Sequence, residues 1–272
     1  MLLLAICCIS FDLQAFVYEC VSKGHLTSVY ILTVDPKEDV IIPVKAQGEK
    51  VARETVLTLA RRQGASAAIN GGFWKWNGEP AGILKIDHIW YGTPLKPRGA
   101  IGWSLNYPRV CIDRVLTNYQ LTDSLEDGEI EVVPMSTLPE VWQEFEHIVG
   151  GTPVLVKDGE RIKDFSPEQT LHSFLVRRHP RTAVGIKETG EWVFVVVDGC
   201  FYGLLGGMTI TKLAQFMQEL GCVDALNLDG GGSSTMVVGD VVVNDPCGSL
   251  HEEGKKVEAI SDAFLIFSRQ SF

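Results

Sequence analysis

Two acids set the chemical question. Asp198 closes the strongly apolar run Glu191–Val197, Asp229 closes Ala225–Leu228, and each stands directly before glycine. Two carboxylates flanking a bond can serve as acid and base, or as acid and nucleophile, in cleavage of a glycoside. Either Asp-Gly pair could instead close a turn, because aspartate bonds readily to nearby backbone there. The residues just after Asp229 favour a site: Gly230-Gly231-Gly232-Ser233-Ser234-Thr235 sets three glycines beside three hydroxyls. Three consecutive glycines are costly to order, and bare N–H groups with hydroxyls can cradle an anion. Arg181, beside Thr182 at the head of another apolar run, offers a guanidinium suited to phosphate or carboxylate. Asn70-Gly71-Gly72 ends a run of small residues in the same style, and Asn227 lies two residues before Asp229. Trp74, Trp76 and Trp90 could stack on a sugar ring or pack in a core. An arginine, a donor-rich loop and two acids together suggest a substrate with both a sugar and a phosphate.

Other chemistries find no support. G-x-x-x-x-G-K-[ST], G-x-S-x-G and H-E-x-x-H are all missing, and the six histidines show no metal spacing. No metal or other cofactor is therefore assigned. A net charge of −10 argues against wrapping nucleic acid, which needs a basic face. The seven cysteines include no Cys-x-x-Cys, and their odd number leaves room for one or two bridges but not for full pairing. Most are expected to be buried small hydrophobes.

The elements that must position these residues can be read in chain order. Thr27 to Val44 gives two strands around the turn cluster Asp35–Asp39. Ala52 to Arg62 has helical spacing, closed by Gly64. Ala65 to Ile69 is a strand of small residues running into Asn70. Ala81–Ile86 and Ile89–Tyr91 form a hairpin, Gly99–Leu105 and Arg109–Ile112 repeat it, and Leu138–Glu146 holds a short helix. Ser124–Glu131 is an acidic, solvated loop, and His172–Pro180 is basic and irregular. Thr209–Leu220 is the clearest helix, with Leu213, Phe216, Met217 and Leu220 on one face, a threonine cap and Gly221 at its end. Ala225–Val238 reads as strand, loop, strand, and Ala259–Phe267 closes the chain. Many strands and few helices predict an α+β fold, a central mixed or antiparallel sheet with few helices packed on it.

The N-terminus is ambiguous. Met1–Phe11 is apolar and Asp12–Ala15 resembles a cleavage site, but a basic leader is missing. The stretch is too short for a comfortable membrane span. Residues 1–20 are read as a degenerate signal or an N-terminal segment, and 21–272 as one domain. Export to the periplasm or exterior of a bacterium is expected, with a buried N-terminal segment as the alternative.

The motifs, taken in order, resemble the phosphodiester glycosidase family. They are Asn70-Gly71-Gly72-Phe73, Gly150-Gly151-Thr152-Pro153-Val154-Leu155, Arg181-Thr182-Ala183-Val184-Gly185, Asp198-Gly199, the Thr209–Leu220 helix, and Ala225 through Thr235. They cover about Ser66 to Phe267, and the last is the most specific. The resemblance implies hydrolysis of a sugar-1-phosphodiester, such as an N-acetylglucosamine-1-phosphodiester, releasing sugar and leaving a phosphomonoester. It makes Asp198 and Asp229 the candidate acid/base or nucleophile. Arg181 and Gly230–Ser234 would hold the phosphate, and Asn70 would orient substrate, with Gly71, Gly72, Thr182 and Asn227 beside them. Glu79 matches the Gly-Glu of a lysosomal member and joins the catalytic candidates. The tail departs from the family. An Arg followed by Pro-Val-Ser-Asn is usual there, whereas here Lys255-Lys256-Val257 and Ser261-Asp262 stand apart, and Lys256 is the expected substitute for the Arg.

The expected partner is a sugar-phosphate glycan or a small glycoside, as in an envelope polysaccharide, a teichoic-acid-like polymer or a glycolipid. No nucleic acid and no membrane span are expected. Two competing readings remain: a glycan-binding domain without activity, and a metal-assisted phosphodiesterase with Asp198 and Asp229 as ligands.

Overall fold

The chain is described from a computed structural model that places residues 16–22, 27–47, 53–93, 96–105, 109–115, 119–121, 132–134, 140–199 and 206–269. Ser124–Glu131 lies outside these residues, as do Met1–Ala15.

Nearly every apolar run becomes a strand, and the strands divide among three main sheets. The largest has seven, in the order Val17–Ser22, Ser28–Val34, Trp192–Val197, Arg181–Lys187, Cys222–Asn227, Val154–Lys157 and Glu160–Arg161. A second has Ile89–Gly92, Leu84–Ile86, His147–Gly151, Arg98–Trp103 and Val110–Val115. The third has Val241–Val242, Met236–Val238, Ala67–Asn70, Asp262–Ser268 and Asp39–Lys45. Strand pairing in all three is antiparallel. With four α-helices among the described residues, the architecture is α+β as expected.

One apolar core joins the three sheets. Trp103 of the second sheet packs edge-on to Trp192 of the first at 5.3 Å and stacks on Phe264 of the third at 5.7 Å. Phe194 meets Phe264 at 5.3 Å. The Trp103 indole N–H donates to the Ile41 carbonyl at 2.9 Å, so even its polar atom ties two sheets. Trp192, Phe194 and Val196 face this core, while Val193, Val195 and Val197 face the other way. Both faces of that strand are buried, which is why its sequence is continuously apolar rather than alternating.

Each sheet carries a helix on its outer face. Ile210–Glu219 covers the seven-stranded sheet through Leu213, Phe216 and Met217. Thr209 caps it by accepting from the Lys212 N–H at 3.3 Å, and Gly221 follows with φ 84°. Val56–Gln63 covers the third sheet, capped by Thr55 and closed by Gly64 at φ 70°. It starts later than its periodicity suggests because Thr55 takes the cap; Ala52 lies outside the described residues. Glu140–Glu144 brings Trp142 against the second sheet. The stretch expected to be irregular, His172–Pro180, contains the helix His172–Val176.

The cysteines follow the core only in part. Cys222 is a buried thiol, Cys20 and Cys111 are half-buried thiols, and Cys247 is disulfide-bonded. Cys7, Cys8 and Cys200 lie outside the described residues.

The consequence for function is that Asp229 sits on a crossing. The strand Cys222–Asn227 belongs to the first sheet and Met236–Val238 to the third, so the glycine-rich loop bridges two sheets. Phe264→Ala, which empties the shared core, should cost about 3–5 kcal/mol in urea unfolding. A loss below about 1 kcal/mol would mean that the sheets do not lean on one another there.

Candidate active site

The site is built on a buried carboxamide. Asn70 ends its strand fully buried, with Oδ1 accepting from Thr182 Oγ1 at 2.8 Å and from the Thr235 N–H at 3.2 Å. Its Nδ2 donates to the Asp229 carbonyl at 2.9 Å. Thr182 lies in the first sheet and Asn70 in the third, so one side chain fixes both sheets to the backbone of Asp229. The Asp229 N–H donates to the Gly71 carbonyl at 3.2 Å, completing a two-sided clamp.

The Asp229 carboxyl lies deep between the sheets. Burial pushes its pKa up to about 6, against the pull of the Ser233 side chain and the Gly230 N–H. The Gly230 N–H donates to Oδ1 at 2.8 Å. Asp262 adds to the upward push. The Trp74 indole N–H also favours the charged form, though it reaches hydrogen-bond geometry with no acceptor.

Asp262 is itself buried and raised by burial. Its Oδ1 accepts from the Gly72 N–H at 2.8 Å and its Oδ2 from Ser261 Oγ at 2.6 Å. The carboxyl stands where any side chain on Gly71 would be.

A cleft of about 610 Å³ opens over Asp229. Phe73, Trp74 and Trp76 give it an aromatic side, Asp229, Gly230, Gly232 and Ser233 its base, and Ser249 and Glu258 a further side. Trp76 is 85% exposed and meets Trp74 edge-on at 6.1 Å. The Arg53 guanidinium lies over the Trp74 ring at 4.6 Å, leaving Trp76 as the open aromatic face. Beyond Phe73 lies a second cavity of about 230 Å³, whose lining includes Arg98, Thr152 and Asp262.

The glycine loop is tightly wound. Gly231 has φ 64°, in the left-handed region that suits glycine. A side chain on Gly230 would meet the Pro180 carbonyl at 2.8 Å. The N–H groups of Gly230, Gly231, Ser233 and Ser234 already donate to Asp229, Pro180, Gly230 and Gly231. Ser234 Oγ lies 3.2 Å from Thr182 Oγ1, whose proton goes to Asn70. The loop therefore spends most of its donors on its own shape rather than on an open cradle.

The remaining sequence candidates divide by place. Asn70, Gly71, Gly72 and Thr182 form the scaffold beneath Asp229. Asn227 is buried, donating to the carbonyls of Thr152 at 2.7 Å and Leu228 at 2.8 Å. Arg181 is only 1% exposed. It donates to the carbonyls of Met208 at 3.0 Å, Phe174 at 2.7 Å and Arg177 at 3.0 Å, and lies over the Phe174 ring at 4.4 Å. Burial pulls its pKa down to about 10.

Asp198 is raised by burial and accepts from Asn244 Nδ2 and the Asp245 N–H, both at 2.8 Å. Asn244 Nδ2 also donates to the Ser234 carbonyl at 2.9 Å, so Asp198 supports the loop from behind. Glu79 is exposed, its pKa held down by Asn77 and Lys75. Lys75 pairs with it at 3.2 Å, and neither lines the cleft. Lys256 is exposed on a small hairpin, where it is register partner to His251. The tail instead brings Glu258 into the cleft and Asp262 beneath it, neither of which sequence reasoning placed among the catalytic candidates.

A metal site at Asp198 and Asp229 gains no third ligand among the described residues. Elsewhere among the described residues one group of three ligating side chains is close enough to share an ion: Asp87, Glu146 and His147. His147 Nδ1 accepts from the Asp87 N–H at 3.2 Å, which leaves the proton of the neutral ring on Nε2.

The phosphodiester glycosidase profile matches residues 63–267, more than half of the chain. The chain belongs to the phosphodiester glycosidase family. It is 27% identical over 237 residues to the SPbeta prophage-derived uncharacterized protein YomE of Bacillus subtilis, covering 83% of this chain and 30% of that one. It is 26% identical over 232 residues to N-acetylglucosamine-1-phosphodiester alpha-N-acetylglucosaminidase of Mus musculus, covering 82% and 41%. The chain thus spans less than half the length of these curated relatives.

Two solved structures share the fold. A hypothetical protein from Synechocystis has a TM-score of 0.72 at 20% identity, covering 94% of this chain and 62% of that one. The catalytic domain of zebrafish N-acetylglucosamine-1-phosphodiester alpha-N-acetylglucosaminidase, auto-inhibited by its pro-peptide, has a TM-score of 0.65 at 18% identity, covering 96% and 86%.

In this family member, the raised pKa of Asp229 makes a sign-definite forecast. A carboxyl with a folded-state pKa above its unfolded value contributes stability below the unfolded pKa and loses it as pH rises through about 6. Asp229→Asn should therefore gain stability relative to the parent between about pH 4 and pH 7, followed by thermal unfolding across that range. A constant difference would place the ordinary carboxylate pKa at Asp229.

Proposed function

We propose that this phosphodiester glycosidase hydrolyses the bond between an anomeric carbon and a phosphodiester oxygen, releasing sugar and leaving a phosphomonoester. An N-acetylglucosamine-1-phosphodiester is the favoured substrate class. The observation that carries the reading is Asp229 at the base of a cleft with an open aromatic side, its carboxyl pushed up to about 6 by burial. A carboxyl titrating near 6 suits protonation of a leaving oxygen at mildly acidic to neutral pH. Trp76 gives a sugar ring a flat apolar face, and the nearby hydroxyls give it polar partners. Likeness to the mouse enzyme supports the bond type.

Of the sequence candidates, Asp229 takes the role of acid. Asn70, Thr182, Asn227 and Asp198 position its loop, and Arg181 braces the neighbouring turn. Gly232 and Ser233 are loop residues that line the cleft beside Asp229. No helix of the described residues is long and apolar enough to cross a membrane. The disulfide at Cys247 supports action in an exported, oxidising compartment.

Bond position decides the matter. Hydrolysis of an N-acetylglucosamine-1-phosphodiester in ¹⁸O-labelled water should place the label in the released sugar, with or without chelator. Label in the phosphate would mean P–O cleavage and overturn the bond assignment. Trp76→Ala should raise KM by about tenfold, equivalent to about 1.4 kcal/mol. Because Trp76 is exposed, its unfolding free energy should stay within about 0.5 kcal/mol of the parent. An unchanged KM would remove the stacking platform.

A further inference from the structure

Cleavage of a glycosidic bond by Asp229 as acid calls for a second group to handle water or the anomeric carbon. Asp198 is committed to Asn244 and Asp245 behind the loop. Glu79 is paired with Lys75 outside the cleft. Glu258 lines the cleft with Asp229 and is half-buried.

Its partners are few and come from one residue. The Ser249 N–H donates to Oε2 at 3.1 Å, and Ser249 Oγ lies 3.2 Å from each carboxylate oxygen. Among the described residues no ion pair holds Glu258. The glycine loop meets it directly: a β-carbon on Gly232 would lie 3.3 Å from Oε2. Gly232 adjoins Ser233, whose side chain holds Asp229. Two carboxyls therefore border one space across a single short loop, that of Asp229 held by the loop and that of Glu258 only by Ser249. Paired acids in unlike surroundings are the arrangement that separates acid from base.

We propose that Glu258 is the catalytic base that works with Asp229, an inference that rests on the function proposed above. A water gives a proton to Glu258 as its oxygen bonds to the anomeric carbon. The bond from that carbon to the phosphate oxygen breaks, and its electron pair stays on the phosphate. Asp229 gives its proton to that oxygen. Sugar and phosphomonoester leave, one water has been consumed, and one proton has passed from Asp229 to Glu258, to be returned through solvent. The Glu258 charge also stabilises the positive character that develops at the anomeric carbon.

A purely structural role, holding Ser249, makes a different forecast. Glu258→Gln keeps an oxygen acceptor for Ser249 but cannot take the proton. The proposal expects Glu258→Gln to melt with the parent, keep KM within about threefold, and lose kcat by about 100-fold or more. In Glu258→Ala, azide should restore turnover and yield a glycosyl azide, which no role in holding Ser249 would produce. Parental kcat in Glu258→Gln, or absence of azide product from Glu258→Ala, overturns the assignment of Glu258 alone. A parent protein that releases no sugar from sugar-1-phosphodiesters overturns the proposed function and this inference with it.

Discussion

The site depends on the Asn70 carboxamide. It is wholly enclosed, and three of its hydrogen bonds run to different strands or loops: to Thr182, to Thr235 and to the carbonyl of Asp229. A buried amide is tolerable only when its polar atoms are matched, and a matched one fixes geometry strongly. Here it fixes the height and rotation of the backbone that presents Asp229. The aromatic core at Trp103, Trp192 and Phe264 holds the sheets together. Asn70 decides how they meet at the one place where an acid must be aimed.

Much of the fold could be read directly. Apolar runs were legible as strands, as at Trp192–Val197, whose two buried faces the structure then explains. The helix Ile210–Glu219 announced itself by spacing and by both caps. What spacing could not convey was the partition into three sheets, because pairing across long sequence gaps leaves no local mark. Ala67–Asn70 gives no hint that its neighbours are Met236–Val238 and Asp262–Ser268.

The site was legible in its residues more than in their roles. Asn70, Thr182, Asp198 and Asp229 lie in one hydrogen-bonded network, linked through Ser234 and Asn244. Residue type alone could not say that Arg181 would turn inward to three carbonyls, since a guanidinium serves a buried turn as well as a phosphate. Nor could it say that the glycine loop would consume its own N–H groups. Glu258 was hidden for the opposite reason: it sits between Val257 and Ala259 with no glycine, turn or partner acid beside it in sequence. Its proximity to Asp229 comes from the fold.

The self-bonded glycine loop has a consequence for how such a protein can diverge. A loop whose donors are all but spent is a closed unit, and altering one member unsettles the rest. The aromatic side at Trp76, exposed to solvent, carries no such mutual dependence. New substrates can be accommodated by redecorating that rim while the base of the cleft is inherited intact. The architecture separates the part that must stay from the part that is free to drift.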